Sequence, residues 1–328
     1  MEGANLLVIG GAGYIGSVTA ELLIERGIRV TILDNLSTGH RAAVPEGAGL
    51  VVGELEDQRL LQELLTQNSF DAVMHFAAKS IVPESMTQPG RYFANNVSGV
   101  IGLLNNLVEH GPQRLVFSST AAVYGEPETI PIPETSPLRP NSPYGESKAI
   151  VERLLPWYEQ AHGLRYGVLR YFNAAGASQR FGEDHLPETH LIPLALRVAA
   201  GALPHLTVFG DDYPTPDGTA VRDYVHVLDL AEAHLRAVEH VLSEGSVTCN
   251  LGSASGYSVR QVVDAVREAT GRELPLVIGS RRPGDSPIAV AQTAVAREVL
   301  GWRPRFGLEE MAASACRWLR QHPGGYKD

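Results

Sequence analysis

The sequence predicts an α/β protein: a doubly wound parallel Rossmann sheet with a smaller C-terminal substrate-binding lobe. Three observations carry the prediction. Apolar runs of strand length alternate with helical patterns through the first half of the chain. Those runs are continuous rather than alternating, as in strands buried on both faces. A glycine cluster follows the first run and opens the first helix.

The elements follow in order. LLVIG (6–10) precedes glycines and the helical YIGSVTAELLIERG (14–27). RVTILD (29–34), GLVVG (49–53), DAVMHFA (71–77), RLVFSS (114–119) and YGVLRYFN (166–173) continue the strand series. Helical patterns near 57–67, 91–110 and 143–162 fill the gaps, so the alternation reads as βαβ units. After about residue 175 it breaks. GASQRFGEDHLPETH reads as a polar loop, LIPLALRVAAG as a helix, and DDYPTPDG (211–218) as a dense turn. Further helices are expected near 227–242, 258–270, 292–300 and 308–321, with strands at VTCNLG (247–252) and LPLVIG (274–279). The expected division is a first domain at 1–175 and a lobe at 176–328, with a segment near 225–252 returning to the first domain.

Composition narrows the classes of function. The 328 residues carry a formal charge of −10, which argues against a nucleic-acid-binding surface. Cys249 and Cys316 match no metal or redox spacing, so a reducing cytoplasm is expected. No apolar run reaches membrane-spanning length, and no signal-peptide pattern is recognisable.

Four motifs carry chemistry. In GGAGYIG (10–16), Gly10 suits a tight turn, Gly13 a close pyrophosphate, and Gly16 close helix–strand packing. The helix that follows offers free N–H groups to phosphates. Asp34 ends the next strand, where an acid can accept from adenosine ribose hydroxyls and repel a 2′-phosphate. NAD is therefore favoured over NADP, with Arg41 nearby as the one argument for the latter. SPYGESK (142–148) places Tyr144 and Lys148 on one helix face. Only three lysines occur in the chain, at 79, 148 and 327, so Lys148 stands out. A free phenol is a poor base at neutral pH. A nearby ammonium and a cationic nicotinamide ring would favour its phenolate. Thr120, at the end of a predicted strand, would hydrogen-bond the same substrate hydroxyl. An isolated Tyr-x-x-x-Lys means little, but this one shares a chain with a dinucleotide fingerprint and a strand-end hydroxyl. Finally, Asn173, Arg222, Arg282 and Asp285 are suited to a nucleoside diphosphate: guanidinium groups grip phosphates and a carboxylate binds ribose.

The arrangement resembles the extended short-chain dehydrogenase/reductase superfamily, and within it the UDP-glucose 4-epimerase family. HFAAKSIVPES, YFANNVSG, FSSTAAVYG, SPYGESK, LRYFNAAGA, VFGDDYPTPDGTAVRDYVHVLDLA and RRPGDSP resemble that family's blocks in its order, over nearly the full chain. The resemblance implies tightly bound NAD, a homodimer built on the helices near 91–110 and 143–162, and inversion at sugar C4 by transient oxidation. It implies cofactor contacts at Gly10, Gly13, Tyr14, Ile15, Gly16, Asp34, Asn35, Glu54, Leu55, Phe76, Ala77, Ala78, Asn95, Tyr144, Lys148 and Tyr171. For the UDP-sugar it implies Thr120, Tyr144, Asn173, His190, Leu191, Phe209, Arg222, Arg282, Asp285 and Ala289, with Tyr224 a weaker candidate.

Some positions depart from the family pattern. Thr120 stands where many relatives have serine, Glu54 where an aspartate is frequent, and His190 where some have asparagine. Lys79 falls beside a lysine position that Ser80 occupies here. Ala289 aligns with a wall of the hexose pocket that is a bulky tyrosine in some relatives. Alanine there would admit a C2 acetamido group, although neighbours filling the gap would cancel the effect. Rival readings are a UDP-uronic acid 4-epimerase or another NAD-dependent UDP-sugar enzyme and, more distantly, a non-catalytic NAD(H) sensor. A 4,6-dehydratase is disfavoured, because Ala121-Ala122 follow Thr120 where elimination needs an acid–base pair.

Overall fold

The structure is a computed structural model and describes residues 1–282 and 285–327. Pro283 and Gly284 of the RRPGDSP block lie outside the described residues. Strands β1 (Asn5–Ile9), β2 (Arg29–Asp34), β3 (Gly49–Val52), β4 (Ala72–His75), β5 (Arg114–Thr120) and β6 (Arg165–Tyr171) occupy the first half. Between them run helices α1 (Tyr14–Glu25), α2 (Gln58–Gln67), α3 (Val82–Thr87), α4 (Pro89–Phe93), α5 (Gly99–His110) and α6 (Pro143–His162). Strands β7 (Asn173–Ala175), β8 (Leu206–Phe209), β9 (Val221–Arg222), β10 (Tyr224–His226), β11 (Val247–Leu251), β12 (Tyr257–Ser258), β13 (Leu276–Gly279) and β14 (Ile288–Ala289) follow. They alternate with α7 (Leu191–Ala199), α8 (Val227–Ser243), α9 (Val259–Thr270), α10 (Ala294–Val299) and α11 (Leu308–Gln321).

Among the described residues, seven parallel strands form the central sheet in the order β11-β6-β5-β4-β1-β2-β3. The continuous apolar runs have a direct cause. Leu6 and Val8 of β1 point into a core shared with α1 and α8, through Leu23, Leu230 and Val238. Leu7 and Ile9 point into the opposite core, against Leu61 of α2, Leu103 of α5 and Val151 of α6. Both strand faces are dry, so neither can be polar. Strand order reverses between β1 and β4, and a crevice at such a reversal is where these sheets take ligands.

A second core joins α7, α9 and α11 through Ile192, Val262, Val266 and Met311. Small sheets tie it to the first body: β10 pairs with β7, and β9 lies between β12 and β14. From the later half of the chain, α8 contributes to the core beneath β1, and β11 completes the sheet edge.

Two expectations need correction. The pattern near 91–110 is not one α-helix: α4 passes through a π-helical turn at Ala94–Ser98 before α5 begins. The later half also holds more strands than 247–252 and 274–279, namely β7, β8, β9, β10, β12 and β14. Each has two to four residues, too few for periodicity to register, and each forms by pairing with a distant segment.

Glu152 of α6 and Arg170 of β6 form an ion pair at 2.6 Å with both side chains buried. Arg170 also donates to the Tyr124 hydroxyl at 2.8 Å and the Glu134 carbonyl at 2.9 Å. Removing one member leaves a buried charge without its partner. Glu152→Ala is expected to cost about 3–5 kcal/mol in denaturant unfolding. Glu128→Ala, which breaks an exposed pair with Arg139, should cost no more than about 1 kcal/mol.

Candidate active site

The glycine loop is shaped by crowding on one side and space on the other. Gly10 has φ of +80°, and a Cβ there would lie 2.5 Å from the Ala77 nitrogen. A Cβ on Gly16 would lie 2.2 Å from the Gly10 carbonyl oxygen. Gly13 differs: its Cβ would meet nothing nearer than 3.5 Å, and as the α1 N-cap it supplies no side-chain cap. The first N–H groups of α1 are thus left to an incoming anion, and the cradle fits a dinucleotide pyrophosphate. Tyr14 turns away, donating to the Gly176 carbonyl at 2.6 Å. Ile15 packs half-buried against the core, so these two residues can face a phosphate through their backbone.

Asp34 performs the turn role and leaves room for the binding role. Its oxygens accept from Ala12 N–H and Leu36 N–H, each at 2.9 Å, which ties the β2 end to the glycine loop. A carboxylate has lone pairs to spare for ribose hydroxyls. Asn35 donates to exposed Glu54 at 2.8 Å. The Leu55 side chain is buried in the α2–α5 core, which leaves its backbone to face a ligand. Phe76, Ala77 and Ala78 follow β4 and are half-buried, at the strand-order reversal. Asn95 and its neighbour Asn96, in the π-helical turn, accept from the Lys79 N–H at 3.2 and 2.9 Å. Lys79 is therefore held through its backbone, and that contact gives its side chain no cofactor role.

The proton-handling groups meet where β5 and β6 end. Thr120 and Tyr171 face each other in register. Ser142 caps α6 by accepting from Gly145 N–H at 3.2 Å, and Pro143 begins the helix. Tyr144 and Lys148 then lie one helical turn apart. The Thr120 hydroxyl lies close enough to the Tyr144 phenol to act on its ionisation. Lys148 Nζ donates to the Ser118 carbonyl at 2.8 Å and sits 4.6 Å from the centre of the Phe117 ring. Ser118 Oγ in turn lies 3.1 Å from His234 Nε2.

Burial dominates the electrostatics. It raises the Tyr144 phenol, and Thr120 only partly offsets that. It lowers Lys148 to about 7, against an opposing pull from Glu152. The Lys148 ammonium is bound to a backbone carbonyl, and burial by itself disfavours the Tyr144 phenolate. Burial also raises Tyr171, with Tyr144 adding to the effect. His75 falls to about 3, through burial and then Lys148. Sequence reasoning missed Ser118, His75, Glu152 and His234. Glu152 had a signal, since 144, 148 and 152 form one helix stripe. The other three become neighbours only when β4, β5 and α8 assemble.

The second group of candidates also converges. Arg222 of β9 is in register with Ala289 of β14. Arg222 lies 3.5 Å and Arg282 2.8 Å from the two Asp285 carboxylate oxygens. The Arg282 guanidinium stands 5.0 Å from the centre of the exposed Phe209 ring. Two guanidinium groups, a carboxylate and an open aromatic face suit a nucleoside diphosphate. Asn173 donates from Nδ2 to the Asp223 carbonyl at 2.7 Å, beside this group. His190 is the exposed N-cap of α7 and Leu191 its first residue, so a further helix N-terminus opens nearby in sequence to β7. Tyr224 is buried against Tyr257, which leaves its ring little to offer a ligand.

A pyrophosphate cradle joined at the sheet edge to a Tyr–Lys–Thr proton site defines a dinucleotide-dependent enzyme of the short-chain dehydrogenase/reductase type. Residues 6–252 match the NAD dependent epimerase/dehydratase family, and the chain belongs to it. It is 47% identical to a UDP-glucose 4-epimerase of Lacticaseibacillus casei, over 99% of each chain. It superposes on a crystal structure of a UDP-glucose 4-epimerase with a TM-score of 0.97 and 45% identity, covering 99% of this chain and 100% of that one. A UDP-glucose 4-epimerase from Brucella ovis in complex with NAD gives a TM-score of 0.93 at 46% identity, covering 95% and 97%.

The depressed Lys148 value has a measurable consequence. Between about 7 and the free-lysine value of 10.5 the unfolded chain binds the proton that the folded chain releases. Stability from this group therefore rises with pH across that window and is lost as pH falls toward 7. In denaturant unfolding, the wild type should gain stability relative to Lys148→Met between pH 7 and 9.5. A pH-independent difference would show that Lys148 stays protonated.

Proposed function

We propose that the protein interconverts UDP-glucose and UDP-galactose by inverting C4 of the UDP-bound hexose. The observation that carries this reading is the α6 turn bearing Tyr144 and Lys148, with Lys148 bonded to the Ser118 carbonyl near the end of β5, in a chain that also gathers Arg222, Arg282 and Asp285. Bound NAD would supply reversible hydride acceptance at C4 and, in its oxidised form, a positive charge that would favour the Tyr144 phenolate. Gly13, the α1 N-terminus and Asp34 hold that cofactor. Tyr144 takes the 4-hydroxyl proton and gives it back, while Thr120 orients the hydroxyl. Lys148, fixed by the Ser118 carbonyl, orients and electrostatically supports the phenol. Arg222, Arg282 and Asp285 anchor the UDP moiety, with Phe209 against the base and Asn173, His190 and Leu191 near the phosphates. Anchoring far from C4 lets the hexose present either face without leaving.

We assign the cofactor to the body formed by residues 1–175 with the return segment near 225–252, and the UDP-sugar to the rest of 176–328. Two free, buried cysteines agree with a reducing cytoplasm. Trp157 of α6 is 68% exposed, an apolar surface that a homodimer through α5 and α6 would cover. Sedimentation should return twice the chain mass, and Trp157→Glu should shift it toward one.

UDP-galactose incubated with the purified protein and no added NAD should yield UDP-glucose by proton NMR. Tyr144→Phe should lose about 10²–10⁴-fold in rate. No conversion even with NAD supplied would overturn the reading and return the UDP-uronic acid alternative. Ala289 is half-buried and small beside Arg222, which supports room for a C2 acetamido group. UDP-N-acetylglucosamine is therefore expected to turn over as well, and Ala289→Tyr to abolish that activity while sparing UDP-glucose. An inert UDP-N-acetylglucosamine would sink this extension alone.

A further inference from the structure

A second constellation lies outside the hydride site, in GEDHLPETHL (182–191). Glu183, His185, Glu188 and His190 each offer one ligand atom, and the four atoms lie within 4.8 Å of one another. His190 Nδ1 is 2.7 Å from Glu183 Oε1 and 2.9 Å from Glu188 Oε1. His185 Nδ1 is 3.3 Å from the same Glu183 oxygen. That nitrogen is buried and makes no hydrogen bond. The Glu183 and Glu188 side chains are 7% and 1% exposed.

The cluster draws two imidazole nitrogens and two carboxylates to one spot. Glu188 Oε1 accepts from Thr189 N–H and His190 N–H, each at 2.7 Å, and still faces His190 Nδ1 at 2.9 Å. Both carboxylates reach His190 Nδ1, and His185 Nδ1 stands at ion-pair distance from Glu183 without a well-aligned hydrogen bond. Two carboxylates almost closed off from solvent face one spot and call for a matching positive charge there. A divalent cation supplies that charge and uses all four lone pairs. Two imidazole nitrogens with two carboxylate oxygens form a donor set suited to zinc. Bonds of about 2.0–2.1 Å in a tetrahedron place ligands roughly 3.3 Å apart. Three of the separations are already near that value, and the widest needs to contract.

We propose that residues 183–190 form a structural divalent-cation site of the zinc class, ligated by the Glu183 and Glu188 carboxylates and by Nδ1 of His185 and His190. Its place in the fold gives it a purpose. The segment runs straight into α7, whose N-cap is His190. On the other side, the His185 ring meets the Tyr14 ring edge-on at 6.4 Å, at the start of α1. A bound cation fixes the connection between the cofactor helix and the helix that opens toward the substrate phosphates. Ligation through Nδ1 also sets the His190 tautomer, leaving the proton on Nε2 for an anion. Glu183 and Glu188 border a cavity of about 720 Å³, which provides an entry path.

The test uses the full-length protein, stripped with EDTA, given equimolar zinc chloride and passed through a desalting column. Metal analysis should find about one zinc retained per chain. Excess zinc should raise the unfolding midpoint by at least about 2 °C. Glu183→Gln, nearly isosteric, and His185→Ala, at a half-exposed position, should each lose both effects while keeping native circular dichroism. A wild type that retains no zinc and shows no shift overturns the proposal, as does equal retention by both variants. These readouts do not involve turnover, so their failure leaves the epimerase reading untouched.

Discussion

The Glu152–Arg170 pair holds the proton site in its geometry. Tyr144, Lys148 and Glu152 succeed one another at four-residue intervals along α6, so fixing Glu152 fixes the rotation of the helix. Arg170 does this from β6 with three bonds to the Glu152 carboxylate. The same guanidinium reaches Tyr124, which donates to Asn250 of β11 at 2.7 Å. Helix, central strand, connecting loop and sheet edge thus share one buried charge pair. Such a pair is costly to bury, and its benefit lies in admitting one arrangement. With the helix locked, the Lys148 ammonium meets the Ser118 carbonyl and the Tyr144 hydroxyl meets Thr120.

Asp223 plays the corresponding part for the lobe. It is fully buried between β9 and β10 and accepts from Ser253 N–H, the Ser253 hydroxyl, Ala254 N–H and Ala291 N–H. Its own carbonyl receives Asn173. Arg222 and Tyr224 flank it in the chain, so the diphosphate group and the sheet edge are referenced to one residue. The two ligand sites are built by different means. The cofactor cradle rests on backbone close approach, which suits a rigid resident group. The Arg222–Arg282–Asp285 group rests on side-chain charges, with Arg282 exposed and Arg222 largely covered, which suits a ligand that comes and goes.

Much of this was legible in order of length. Strands β1, β2, β5 and β6 and helices α1, α6 and α11 are long or strongly patterned, and their boundaries were read within a residue or two. The glycine loop and the Tyr144–Lys148 pair were also readable, because their chemistry depends on local spacing along one turn or one helix face. Short strands such as β9 and β14 were invisible, since two residues carry no period. The Leu55 side chain lies in the core, and a position just beyond a strand does not reveal in sequence which way a side chain turns.

The sequence by itself determined the class of fold, the cofactor and the helix turn that carries Tyr144 and Lys148. Each is encoded within a few consecutive residues, where backbone geometry dictates the neighbours. Tertiary structure alone decided what surrounds that pair. Ser118, His75 and His234 come from three separate elements, and the burial of Lys148 and Tyr144 in the assembled fold lowers the first to about 7 and raises the second. Desolvation depends on every atom packed around a group, and no local spacing records it.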